Sequence, residues 1–191
     1  MAESQRMGDS PRLTILVGSL RVGSFNQAAA QVAADHLAGK AAVSWPDLSS
    51  IPFFNQDVEA LGDPSSVLTM KEAVCASQTV LFFTPEYNSG IPAVTKNAVD
   101  WLSRPFGNSC LIDRIVGVAA VGPSSSGAEN VRESLLQVCE KLSNRVYPKT
   151  LGIPGVFALE NGRLSEAAET AVRVWIDEIL AFGHKWQTAP T

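Results

Sequence analysis

Residues Leu13 to Gln31 read LTILVGSLRVGSFNQAAAQ, and the rest of the chain is organised around them. Leu13, Ile15, Leu16 and Val17 make an apolar run of strand length that stops at Gly18. A hydroxyl-rich turn, Ser19 to Ser24, then leads into helix-favouring residues from Phe25 onward. A strand feeding a helix through a polar loop presents free backbone N–H groups and the positive end of the helix dipole, an arrangement that binds phosphate. Ser19, Ser24 and Asn26 add side-chain donors, and Arg21 adds a charged fork able to hold two oxygens at once. A cation in a short loop at the positive end of a dipole is unfavourable unless an anion joins them, so we read this loop as the seat of a mononucleotide phosphate. The bland alternative is a capping box, in which Ser24 caps the helix and Gln27 reaches back with no ligand involved. Gly18 and Gly23 complete neither a Walker loop nor a dinucleotide fingerprint.

Length and composition narrow the classes. At 191 residues and 46% hydrophobic, the chain suits a single core, expected over residues 12–191, behind a disordered tail at 1–11. A net charge of −4 argues against sequence-independent binding of nucleic acid. The longest apolar runs, Val80 to Phe83 and Ile115 to Val121, are far shorter than the roughly 20 residues a membrane span needs. Met1 to Pro11 lacks the apolar core of a signal peptide, so a cytoplasmic protein is expected. Cys75, Cys110 and Cys139 form no Cys-x-x-Cys pair, and Cys75 and Cys139 fall on apolar helical faces where small buried core residues are expected. His36 and His184 are isolated, so neither a metal site nor a catalytic side chain is expected.

Strand and helix signals alternate along the chain. Helix is expected from Ser24 to Leu37, a short strand at Val43 to Trp45, and a long loop from Ser49 to Gly62 whose Ile51-Pro52-Phe53-Phe54 serves either core packing or a subunit contact. Asp63 as N-cap and Pro64 as first helical residue open the next helix, with Met70 in its core face. Gln78 to Thr84 is β-branched and aromatic without alternation, as in a strand covered on both faces. It ends in Pro85-Glu86-Tyr87-Asn88-Ser89-Gly90, a loop rich in hydrogen-bonding groups, before a helix that Pro92 opens and Pro105 ends. Arg114 to Val121 repeats the buried-strand pattern, followed by Gly122 to Gly127 and a helix whose cap candidate is Ser126, with Glu129 completing a capping box. A last strand from Val146 to Val156 is broken by Pro148 and Pro154, and Ser165 caps the final helix.

This alternation implies an α/β fold: a flavodoxin-like three-layer α/β/α sandwich with a five-stranded parallel sheet in the order 2-1-3-4-5. The ligand crevice of such a sheet opens at the ends of strands one and three, which here carry Ser19 to Asn26 and Pro85 to Gly90.

At these residues the chain resembles the NAD(P)H-dependent FMN reductases, particularly the quinone and chromate reductase branch. Two segments carry the likeness: Gly18-Ser19-Leu20-Arg21-Val22-Gly23-Ser24-Phe25-Asn26, and Thr84-Pro85-Glu86-Tyr87-Asn88 through Ile91-Pro92 to Lys96-Asn97-Ala98-Val99-Asp100-Trp101-Leu102-Ser103. The resemblance implies that Ser19, Arg21, Ser24, Phe25 and Asn26 surround the FMN phosphate, while Pro85, Glu86, Tyr87 and Asn88 border the isoalloxazine ring. It implies a further contact from Ser124 or Ser125, in a segment less glycine-rich than the family's. Thr95 stands where the family commonly has leucine, and a change of packing is expected there. Hydride would pass from NAD(P)H to bound FMN and on to a small-molecule acceptor: a quinone, a flavin, an azo compound or chromate. A homodimer or homotetramer is also implied. The competing reading is a flavodoxin-like FMN-binding electron carrier that does not itself oxidise NAD(P)H; such carriers are typically more acidic than this chain.

Overall fold

The computed structural model describes residues 10–187; residues 1–9, where most of the expected tail falls, and 188–191 lie outside the described residues. Its elements run β1 (Arg12–Val17), α1 (Phe25–Leu37), β2 (Ala42–Ser44), α2 (Gln56–Ala60), α3 (Ser65–Cys75), β3 (Thr79–Phe83), α4 (Ala93–Leu102), β4 (Ile115–Val121), α5 (Glu129–Glu140), β5 (Arg145–Val146), β6 (Leu151–Ile153) and α6 (Glu166–Gln187). All strand pairs are parallel, in the order β2-β1-β3-β4, with β5 and then β6 pairing along the far edge of β4. The interrupted last strand is therefore two short pieces in one lane. Tyr147, Pro148, Lys149 and Thr150 separate them, and Pro148 has no N–H to give to a ladder.

The inner strands alternate between two cores. Leu13, Ile15 and Val17 of β1, Leu81 and Phe83 of β3, and Ile115, Ala119 and Val121 of β4 pack beneath α1 and α6. Leu16, Val80, Phe82, Val116 and Val118 point the other way, onto α3, α4 and α5. Burial on both faces explains the unbroken apolar runs of β3 and β4. Among the described residues, no helix is long and apolar enough to cross a membrane.

Several local expectations need correction. Asp63 does not cap α3: the helix begins at Ser65, and the Asp63 carboxylate instead pairs with the largely buried Lys71 ammonium at 2.6 Å. A buried lysine needs its counter-charge more than a helix end needs a cap. Pro92 likewise sits one residue ahead of α4. Cys75 is exposed, not core, because the buried stripe of α3 runs through Val67, Met70, Lys71 and Val74 and the helix ends one residue later; Cys139 is buried as expected. The long loop after β2 holds a short 3-10 turn at Leu48–Ser50 as well as α2. Its apolar residues divide: Ile51 is buried and Phe54 stands edge-on to Trp101 at 5.0 Å, whereas Phe53 is 77% exposed.

Candidate active site

Three loops leave the carboxyl ends of β1, β3 and β4 and enclose a crevice of about 380 Å³. In the first, Ser24 adopts an extended backbone and its hydroxyl oxygen accepts the Gln27 N–H at 3.3 Å, so the capping half of the structural reading is real. The reciprocal half is absent, because the Ser24 N–H donates to the Arg21 carbonyl at 3.2 Å. The Ser24 hydroxyl proton is still available to a ligand, and the α1 N-terminus opens into the crevice beside it. Arg21 lies on the rim, its guanidinium 4.7 Å from the centre of the Phe25 ring and 3.1 Å from the Gly23 carbonyl oxygen. This loop thus holds a cation and a helix N-terminus close together, which an anion would reconcile.

Asn26 is 2% exposed and has a second role. Its Nδ2 donates to the Val121 carbonyl at 3.0 Å and its Oδ1 accepts the Val121 N–H at 2.9 Å, so the first loop is bonded to the end of β4. The Asn26 amide carries one further hydrogen beyond these two bonds.

The second loop is a tight turn. Tyr87 and Gly90 exchange backbone hydrogen bonds at 3.2 and 3.0 Å, with Asn88 and Ser89 both in the left-handed region at φ of 50° and 58°. Two left-handed central residues define a type I′ turn, for which Asn is well suited. The Glu86 carboxylate accepts the backbone N–H of Val131 at 3.1 Å, with Asn130 Nδ2 at 3.5 Å, at the start of α5. It thereby caps a helix whose own N-cap residue, Ala128, has no side-chain acceptor. The negative charge also sits well at the positive end of that dipole. Ser126 is therefore not the cap: Gly127 and Ala128 are both left-handed, and the Ala128 N–H goes to Ser124 Oγ at 3.1 Å.

The loops are also joined at their roots. Gly18 N–H donates to the Phe83 carbonyl at 2.8 Å, and the buried hydroxyls of Thr84 and Thr95 lie 2.7 Å apart. A Cβ on Gly18 would land on the Thr95 hydroxyl and within 2.8 Å of Thr84 Oγ1, so this position takes only glycine. Thr95 consequently does more than change packing; from the first turn of α4 its hydroxyl hydrogen-bonds back to Thr84 across the base of the second loop.

Of the residues expected from sequence, Ser19, Arg21, Ser24, Phe25 and Asn26 border the crevice on one side and Pro85, Glu86 and Tyr87 on another, with Ser124 on the third. Asn88 and Ser125 do not line it: Asn88 is used in forming the turn. Val121, Gly122, Pro123 and Ala128 also line it and were not anticipated. Gly122-Pro123 at a strand end was a visible signal; nothing in the sequence marks an alanine for the left-handed region.

A family model described as NADPH-dependent FMN reductase matches residues 11–158. The chain belongs to that family. It is 43% identical to the NAD(P)H-dependent FMN reductase PA1204 of Pseudomonas aeruginosa over 99 residues, which are 52% of this chain and 54% of the relative. Over 174 residues it is 27% identical to a quinone reductase of Pseudomonas putida, covering 89% and 93% of the two chains. Among solved structures, FerB from Paracoccus denitrificans, described as a flavoenzyme NAD(P)H:(acceptor) oxidoreductase, superposes with a TM-score of 0.81 at 26% identity, covering 92% of this chain and 98% of that one. The matched segment contains all three crevice loops of this family member.

Proposed function

We propose that this protein is an FMN-dependent NAD(P)H oxidoreductase whose electrons go to a quinone or similar small acceptor. The carrying observation is the crevice itself, with a cation and helix N-terminus at one end and the Pro85-Glu86-Tyr87 backbone at the other. These residues fit FMN. The first loop supplies the donors that a phosphate dianion requires: Arg21, the Ser19 and Ser24 hydroxyls and the amides opening α1. Its volume lies within the range of small-molecule sites. Bound FMN would supply hydride acceptance from the nicotinamide and delivery of electrons to the acceptor.

The protein's part is binding and orientation. Ser19, Arg21, Ser24, Phe25 and Asn26 hold the phosphate, and Pro85, Glu86 and Tyr87 border the ring, with Ser124 closing the third side. Because the Tyr87 N–H is taken by Gly90, the amide of Glu86 is the one that this side of the crevice has left to address ring heteroatoms. Asn26 and Glu86 fix the loops to one another in advance and Thr95 closes the base of the second, so little ordering is needed on binding. Assembly as a homodimer or homotetramer, with the exposed Phe53 loop as contact, belongs to the same reading, as do residues 12–191 acting as one FMN-binding unit in the cytoplasm.

The test is anaerobic mixing of the FMN-loaded protein with NADPH, then with a benzoquinone. Rapid bleaching of the flavin band and its return on adding quinone are expected, with parallel double-reciprocal lines in steady state. With an electron carrier the flavin would stay oxidised in the presence of NADPH, and an intersecting pattern would contradict ping-pong use of one site.

A further inference from the structure

The third wall of the crevice carries a strained residue and a cation that holds it in place. Ala128 lines the crevice in the left-handed region at φ 59°, beside Gly127 at φ 62°. That backbone is costly for a residue with a Cβ and persists only where its surroundings fix it. Arg132, the fourth residue of α5, reaches back to do so. Its Nε donates to the Gly127 carbonyl at 2.9 Å and its Nη2 to the Ser126 carbonyl at 3.1 Å, while Nη1 donates to Thr150 Oγ1 at 2.6 Å, in the link between β5 and β6. One guanidinium thus ties the loop after β4 to the strand lane beside it.

The helix gains nothing from an arginine here. A cation near a helix N-terminus meets the positive end of the dipole, and all three of these hydrogen bonds go to neutral oxygens, so the loop's carbonyls are what Arg132 serves. Its planar group also lies flat on Gly152 of β6: a Cβ there would come within 2.7 Å of both Cζ and Nε. The backbone of Gly152 is not left-handed, so the guanidinium, not φ, excludes a side chain at this position. Gly127 packs on the same spot, where a Cβ of its own would come within 2.9 Å of the Gly152 carbonyl carbon.

We propose that Arg132 is a positioning residue for flavin binding: by holding the Ser126 and Gly127 carbonyls it keeps Ser124 and Ala128 in the places from which they border the ligand. This rests on the reading of the crevice as an FMN site. Arg132 touches no ligand itself and acts through the loop. The first loop takes the phosphate, so the third loop borders the part of the ligand that FMN and riboflavin share. Loss of Arg132 therefore weakens both flavins alike, whereas loss of Arg21 weakens FMN alone. The loop is set before the ligand arrives, which spares the cost of ordering it on binding.

The test compares the full-length parent with Arg132→Ala and with Gly152→Ala, which keeps the arginine but puts a methyl group where its guanidinium lies. In the flavin-free proteins, amide exchange at Gly127 and Ala128 is expected to quicken in both variants. Fluorescence titration is expected to show riboflavin and FMN weakened by one common factor of about 10. Arg132→Ala/Ala128→Gly is expected to recover most of that loss, because glycine takes the left-handed backbone unaided; a merely structural role for Arg132 predicts no such rescue. Unchanged exchange at Gly127 and Ala128, riboflavin affinity equal to the parent's, or no rescue by Ala128→Gly would each overturn the proposal. A parent that bound neither flavin, with exchange still quickened in Arg132→Ala, would overturn the FMN reading and the flavin-binding half of the proposal together while the loop contacts stood.

Discussion

Asn26 and Val121 are joined by a reciprocal pair of hydrogen bonds, side chain to backbone, that ties the helix after β1 to the end of β4. Replacing Asn26 by Ala leaves a buried N–H and a buried carbonyl of Val121 without partners. Unmet buried groups cost about 1–3 kcal/mol each, so Asn26→Ala is expected to lower unfolding free energy by about 3 kcal/mol. Urea denaturation of the apoprotein measures this; a variant as stable as the parent would show that the pair contributes nothing.

Gly18 is held to glycine by the Thr84–Thr95 pair. Gly18→Ala puts a methyl group onto the Thr95 hydroxyl, and overpacking of this kind costs about 1–3 kcal/mol. The double variant Gly18→Ala/Thr95→Ala removes the obstacle and should recover much of the loss. Equal destabilisation in single and double variants, read from thermal midpoints, would locate the strain elsewhere.

The Glu86 carboxylate caps α5 from a different loop. Glu86→Ala is expected to fray the first turn of α5, speed amide exchange at Val131 and cost about 1 kcal/mol, whereas Glu86→Gln keeps an acceptor and should lose less. Unchanged exchange at Val131 in Glu86→Ala would contradict the cap.

How much of this was visible beforehand follows from how local each signal is. The β1–α1 unit was legible because an apolar run, a polar loop and a helical stripe are all written within Leu13 to Gln31. The sheet order followed from the strand–helix alternation. Contacts between distant segments were not legible. Asn26 reads as a phosphate donor with no sign that it also holds Val121, Glu86 reads as a ring contact with no sign that it also caps α5, and Asp63 reads as a cap until Lys71 folds back over it. Polar side chains near loops have several possible partners, and only tertiary structure chooses among them.

Acid stability should depend on Glu169. Its buried carboxylate accepts from Arg163 Nη2 at 2.8 Å and Arg173 Nη2 at 2.6 Å, and the hydrogen bond from Arg163, supported by the charges of both arginines, holds it below the ordinary carboxylate value. A lowered folded-state pKa means that the contribution is present above the unfolded value of about 4.3 and is lost as pH falls through the folded one. Glu169→Gln is therefore expected to be clearly less stable than the parent at pH 7, with the gap closing towards pH 3. A gap independent of pH, read from urea midpoints, would contradict this.

The central claim is that the loop from Ser19 to Asn26 seats the phosphate of FMN. It is tested most directly by titrating the apoprotein with FMN and with riboflavin, which lacks that phosphate, following flavin fluorescence in the parent and in Arg21→Ala. The account predicts that FMN binds at least about 100-fold more tightly than riboflavin, and that Arg21→Ala weakens FMN by about 10- to 100-fold while leaving riboflavin unchanged. Equal affinity of the parent for both flavins would contradict it.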